Sequence, residues 1–269
     1  PVGDLPRVGL ASLLRIHRIK PSEIGDLASS VQEMAGEMAA AGSDVVIDYW
    51  VSDAEVAIDV TGDGRTLRIS NLDKVLYPRT GTTKGEVLDY YARISPVMLP
   101  HLKDRAVTRI RWPHGVERGS FYEKNAPQGT PSWVRTVSVP TSGSRGESRH
   151  GDRLEFPVVD DLATLTWMAN LAALELHVHQ WRVGRNGQPR NADRVVIDLD
   201  PGDPAGLHEC CQVALMVRDK LAERGLGARP VTSGSKGLHL YADLPGSRTG
   251  PPGDCNPECL RWLCYLQWC

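Results

Sequence analysis

Hydrophobic and polar positions along this chain fall into two rhythms, one of period two and one close to 3.6, and together they predict a mixed α/β domain. From Thr66, Leu67 and Ile69 alternate with Arg68 and Ser70, as in a half-buried strand. Thr83-Lys84-Gly85-Glu86 has the form of a capping box, and the helix that it opens can bury Val87, Leu88, Tyr91 and Ile94. Asp161–Ala173 predicts a second helix, with Leu162, Leu165, Met168 and Leu171 available for burial, followed by a strand over Leu174–Val178. Gly184–Ala192, rich in Gly, Asn, Arg and Pro, reads as a loop returning the chain to the β-branched run Arg194–Leu199. Ala205–Arg224 carries Leu207, Val213, Leu215, Met216 and Leu221 at roughly helical spacing, and Pro230–Tyr241 reads as loop, then strand. Upstream, helices are expected near Leu10–Ile19 and Ile24–Ala41, then a strand over Asp44–Val51. Leu27, Val31, Met34 and Met38 there suit a small core and suggest no chemistry.

Composition adds bounds. With 269 residues, 41% hydrophobic and 24% charged, the chain has the make-up of an ordinary soluble globular protein, one large domain or a domain with an appendage. No stretch reaches the apolar length that spans a bilayer and no signal peptide opens the chain, so no membrane contact and a cytoplasmic location are expected. A net charge of −2 does not advertise nucleic-acid binding, so such a surface must be a local patch. The first residue is Pro1 rather than Met, as in a fragment or a processed product. Cys255, Cys259, Cys264 and Cys269 crowd the end of the chain without a His among them, in a spacing unlike that of a structural zinc site.

The candidate chemistry centres on Val196-Ile197-Asp198-Leu199-Asp200-Pro201-Gly202. Alternation along a strand puts Asp198 and Asp200 on one face, with Cα atoms roughly 6–7 Å apart. Two like charges at the end of a mostly buried strand repel, and a divalent cation neutralises both. Hard oxygen ligands suit Mg²⁺ or Mn²⁺ carrying a nucleotide's phosphates; the plainer alternative is a turn with solvated acids. About thirty residues on, Val231-Thr232-Ser233-Gly234-Ser235-Lys236-Gly237-Leu238-His239 offers hydroxyls, an ammonium and backbone N–H groups around Gly234 and Gly237, as a phosphate-holding nest needs. It is not a Walker loop, and a Gly/Ser hairpin with a surface lysine is the alternative. Lys103, Arg105, Arg109, Arg111, Arg118 and Lys124 interleave with Trp112, Phe121 and Tyr122, the most DNA-like stretch of the chain. Lys84, at a helix N-terminus, and nearby Lys74 combine charge with free backbone donors.

These words resemble the polymerase domain of bacterial ligase D, in the archaeo-eukaryotic primase superfamily. The matching blocks are Asn71-Leu72-Asp73-Lys74-Val75-Leu76-Tyr77-Pro78, Arg111-Trp112-Pro113 with Gly115, Leu174-Glu175-Leu176-His177-Val178 with Gln180-Trp181, the acid strand, and Val231–Tyr241. They cover about residues 66 to 243, flanked by an N-terminal appendage at 1–65 and a Cys- and Trp-rich tail at 244–269. The resemblance implies an α/β (α+β) fold, a primase-type palm with a mostly antiparallel sheet flanked by helices. It implies metal-dependent nucleotidyl transfer to DNA 3′ ends in double-strand break repair by non-homologous end joining, in the cytoplasm at the nucleoid.

Residue by residue, the resemblance gives Asp198 and Asp200 the metals and His177, Ser233, Ser235, Lys236, Gly237 and His239 the nucleoside triphosphate. It gives Lys74 and Lys84 the 5′-phosphate of a DNA strand at a gap or break, and Phe121 and Tyr122, with Arg111 and Lys124, the DNA beside it. Tyr122 stands where the family has a second phenylalanine. Ku and ligase modules are the implied partners. The likeness stops near Asp243, where the family takes a third carboxylate from a later strand. Asp254 and Glu258 sit in a turn-like stretch instead, which fits a truncated or frame-shifted end and a sheet lacking C-terminal strands. A DNA-end-binding module without polymerase activity is therefore the alternative function.

Overall fold

The computed structural model describes residues 45–51, 56–62, 65–140 and 153–244. The two upstream helices, the Cys- and Trp-rich tail, Asp254 and Glu258 lie outside the described residues. The chain divides into two compact units, 1–178 and 179–269. Every strand pair described is antiparallel, in small sheets of two or three strands.

In the first unit, β1 (Val45–Val51), β2 (Val56–Gly62) and β3 (Arg65–Ile69) form one meander, so strand pairing runs across residue 65. The short ribbon of β4 (Val75–Tyr77) and β5 (Thr82–Thr83) leads into α1 (Lys84–Leu102). The capping box is real: the Glu86 N–H donates to Thr83 Oγ1 at 3.3 Å and the Thr83 N–H to Glu86 Oε2 at 2.7 Å. Next come β6 (Val107–Arg111), β7 (Phe121–Glu123), the ribbon of β8 (Thr136–Pro140) and β9 (Arg153–Pro157), α2 (Leu162–Asn170) and β10 (Ala173–Val178). The sheet order β10-β6-β7 leaves β7 at an edge. Leu162, Leu165 and Met168 of α2 are fully buried against Leu67, Ile69, Leu88 and Val107. At about 1.5–3 kcal/mol for each large apolar side chain removed from water, this cluster holds α1 and α2 to the strands.

The second unit opens with a hairpin of β11 (Trp181–Val183) and β12 (Pro189–Ala192). The expected open loop at Gly184–Ala192 is thus half strand, because pairing with β11 extends Pro189–Ala192 despite its turn-forming composition. A sheet of β13 (Arg194–Leu199), β15 (Leu238–Asp243) and β14 (Ala228–Thr232) follows, with β15 in the middle and α3 (Leu207–Ala222) packed on one face. Val195, Ile197, Leu238, Leu240 and Ala242 alternate onto that face. Of the five apolar residues that its spacing suggests, helix α3 turns only Leu221 to the sheet. Leu207, Val213, Leu215 and Met216 are exposed, because at 100° per residue they scatter around the axis. Cys210, Ala214, Val217 and Leu221, at intervals of four, three and four, make the buried stripe. Among the described residues no helix is long and apolar enough to cross a membrane.

Candidate nucleotide and nucleic-acid sites

Strand β13 ends at the acids. Val195 and Ile197 point to the α3 side, so Asp198, out of phase with them, stands on the open face and is exposed. Asp200 follows in the same phase, just past the strand, and is also exposed. The register places Asp198 opposite His239, whose Nε2 lies 3.2 Å from Asp198 Oδ1. Across β15, Val231 completes the row.

The 233–237 loop closes on itself. Ser233 Oγ donates to the Gly237 carbonyl at 3.0 Å and accepts the Gly237 N–H at 3.1 Å and the Ser235 N–H at 3.4 Å. The Gly237 N–H expected to face a ligand is therefore turned inward onto Ser233. Lys236 Nζ donates to the Pro201 carbonyl at 3.1 Å, fastening the loop to the turn after the acids. Gly237 is buried against β13, where an added Cβ would collide with the Leu199 carbonyl oxygen and come within 3.2 Å of Asp200 Oδ1. Only glycine allows the donor loop to sit this close to the acid strand. Cys210 Sγ of α3 also donates to the Leu199 carbonyl, at 3.6 Å. Burial pushes the Cys210 thiol pKa up, and Cys211 and Asp200 add to the effect.

Gln180, whose sequence context suggests no role for it, accepts the Val196 N–H on its Oε1 at 3.3 Å. Among the described residues no group of three or more His, Cys, Asp or Glu side chains is arranged to hold a metal ion. Two carboxylates are nonetheless a sufficient protein share for Mg²⁺ or Mn²⁺, which leave their other positions to water and substrate phosphates.

In the first unit, the two lysines at α1 are brought together by backbone: the Lys84 N–H donates to the Lys74 carbonyl at 2.8 Å. The free backbone donors expected there are not free. The Gly85 N–H donates to the Leu72 carbonyl at 2.9 Å and the Glu86 N–H to the Thr83 cap, so neither is open to an anion. Lys84 itself is only 6% exposed, with Nζ donating to the Ser70 carbonyl at 2.6 Å.

The β10-β6-β7 sheet separates the aromatic pair. Register puts Tyr122 beside Ile110 and Glu175 on one face, and Phe121 beside Arg111 on the other. Tyr122 has His177 at 6.2 Å between ring centroids and Lys124 Nζ at 5.9 Å, and His177 Nε2 lies 3.1 Å from Glu175 Oε2. Both rings are exposed, as stacking on a base requires.

Two of the cations assigned to the DNA-like surface are not on it. Arg105 is 2% exposed and Arg109 fully buried, because Arg109 shares the core-facing phase of Val107. Its Nη2 meets Glu123 Oε2 at 2.6 Å and the Asn125 carbonyl at 2.8 Å. Burial lowers the Arg109 pKa and Glu123 pulls it back up. Sequence could place Arg109 on the Val107 face by its alternation; only the strand register supplies Glu123.

The sequence from 83 to 251 matches the family model described as LigD, primase-polymerase domain. The multifunctional non-homologous end joining DNA repair protein LigD of Mycobacterium tuberculosis (strain ATCC 25618 / H37Rv) is 45% identical over 181 residues, covering 65% of this chain and 23% of that protein. The bifunctional non-homologous end joining protein LigD of Bacillus subtilis (strain 168) is 34% identical over 178 residues, covering 66% and 26%. Among solved structures, the polymerase domain from Mycobacterium tuberculosis ligase D in complex with DNA superposes with a TM-score of 0.61 at 43% identity. That match covers 67% of this chain and 62% of the solved one. The chain thus matches about a quarter of the length of these curated relatives.

Proposed function

The chain belongs to the LigD primase-polymerase domain family, and on that premise we propose that it transfers nucleotides to DNA 3′ ends in non-homologous end joining. The observation that carries this reading is one junction: Asp198 and Asp200 share the open face of the acid strand, His239 stands opposite, and Lys236 and Gly237 clamp the donor loop onto the same strand end. Asp198 and Asp200 would hold Mn²⁺ or Mg²⁺, and a bound ion would neutralise phosphate charge and activate the attacking oxygen. Ser233 shapes the loop, Ser235 and Lys236 hold the triphosphate, and His239 orients it; His177 is a nucleotide contact in its own right. Catalysis then rests on positioning and charge neutralisation, with no covalent enzyme intermediate. Lys74 and Lys84 take the 5′-phosphate, and Arg111, Phe121, Tyr122 and Lys124 the DNA beside it. A polymerase domain over about 66–243 would do this work alongside ligase modules and Ku, in the cytoplasm.

The test is to incubate the chain with Mn²⁺, nucleoside triphosphates and gapped DNA carrying a 5′-phosphate, following primer extension and DNA binding together. Asp198→Ala should abolish extension and spare binding, whereas Lys84→Ala should weaken binding most for phosphorylated DNA. Loss of both activities in Asp198→Ala would overturn the separation of the two sites, and equal affinity for phosphorylated and unphosphorylated ends would overturn the phosphate assignment. A second reading, an end-binding module without transfer activity, is favoured by the sequence after Asp243, where Asp254 and Glu258 fall in a turn-like stretch rather than in a strand pattern. Binding without extension would select it.

A further inference from the structure

The sequence Val107-Thr108-Arg109-Ile110-Arg111 alternates two arginines with uncharged residues, and strand β6 turns both arginines to the face that also carries buried Val107. A guanidinium with no exposed surface is costly unless a counter-charge meets it. Glu123 is that counter-charge, directly across the β6–β7 register, with Arg109 Nη2 at 2.6 Å from its Oε2. The same oxygen also takes Arg111 Nη1 at 3.2 Å. Arg111 Nε donates to the Leu171 carbonyl at 2.9 Å, so two bonds fix its plane, and the guanidinium carbon lies 5.0 Å from the centroid of the Phe121 ring. Buried arginine, carboxylate, second arginine and exposed ring are thus joined at an edge strand only three residues long. Such an edge has few bonds of its own to hold a side chain still.

We propose that Glu123 is a positioning residue, which uses the buried Arg109 as a fixed anchor to hold Arg111 against Phe121 and so keeps that ring set for stacking on an unpaired base. The inference rests on the nucleic-acid reading of this sheet. Arg111 backs one side of Phe121 and contributes a cation–π contact that stiffens it. The opposite side of the half-exposed ring is left for the base. Two guanidiniums on one carboxylate also leave a net positive charge at the foot of the ring, which suits a polyanion.

The chain contains two phenylalanines, Phe121 exposed and Phe156 buried, so fluorophenylalanine labelling gives one reporter and one internal control in a ¹⁹F NMR spectrum. In Glu123→Gln, the Phe121 signal should narrow and move toward the free amino acid position while the Phe156 signal stays. Affinity for gapped DNA with an unpaired base should fall about tenfold, the loss of one base stack. Nicked, fully paired DNA with a 5′-phosphate should bind unchanged. Glu123→Asp, which keeps the charge, should recover part of both effects. If Glu123→Gln disturbs Phe156 as well, Arg111→Lys reads the same ring with the Arg109–Glu123 pair intact and should move the Phe121 signal alone. A Phe121 signal unmoved in these ligand-free variants overturns the positioning role whatever the DNA does. Equal weakening on gapped and nicked DNA overturns the link to base stacking. A parent chain whose Phe121 signal ignores gapped DNA overturns the nucleic-acid reading of the sheet and the stacking role with it.

Discussion

Replacing Gly237 with alanine isolates the contact that joins donor loop to acid strand. The new methyl group would collide with the Leu199 carbonyl oxygen and lie 3.1 Å from its carbon and 3.2 Å from Asp200 Oδ1. Two of these are backbone atoms, so no side-chain rotation relieves the clash. An ordinary carbon–oxygen contact of about 3.3–3.6 Å requires the strands to part by roughly 1 Å. Overpacking of this kind costs about 1–3 kcal/mol, and opening the Leu199–Leu238 rung adds about 1 kcal/mol for each hydrogen bond weakened. A net loss of about 2–4 kcal/mol should lower Tm by roughly 5–15 °C for a chain of this size.

The same displacement moves Asp198 and Asp200 relative to Lys236 and His239. A misplacement near 1 Å at a reacting centre lowers the rate about 10²-fold, so extension should fall by that order while DNA binding persists. Gly234→Ala is the control, since Gly234 has φ +83° but open space around its Cβ position. It should cost about 1–2 kcal/mol from the left-handed backbone alone and leave the acids in place. A Gly237→Ala chain that melts with the parent and extends primers at the parental rate would refute the argument from close approach.

Two further outcomes follow from local electrostatics. The Gly206 N–H donates to Glu209 Oε2 at 2.7 Å at the start of α3 and holds that carboxyl below its ordinary pKa. A depressed folded pKa contributes stability above the unfolded carboxylate pKa and loses it as pH falls through the folded value. Glu209→Gln should therefore flatten the fall of Tm between neutral pH and about pH 3, and a variant tracking the parent across that range would refute the cap. Burial raises the Cys210 thiol pKa whereas Cys211 is exposed, so iodoacetamide at mildly alkaline pH should label Cys211 several-fold faster by peptide mapping. Equal labelling would place Cys210 outside the α3 interface.

What the sequence determined by itself was everything governed by neighbours along the chain. The Thr83–Glu86 cap, the exposed phase of Asp198 and Asp200, and the alternation of Leu67 and Ile69 with Arg68 follow from periods of two and 3.6 and from local hydrogen bonding. The motif blocks likewise carried the family. What tertiary structure decided was everything set by pairing between distant segments. No spacing says that Glu123 faces Arg109, that Gly237 presses on Leu199, or that Lys236 reaches Pro201, because each depends on strand register or on a loop's approach. Helix α3 shows the same limit from the packing side: most of the large apolar residues that its spacing suggests are scattered around the axis, and the sheet selected the aligned stripe of Cys210, Ala214, Val217 and Leu221, which shares only Leu221 with them. Burial is a property of what arrives on the other side, and a linear pattern fixes only the face that is offered.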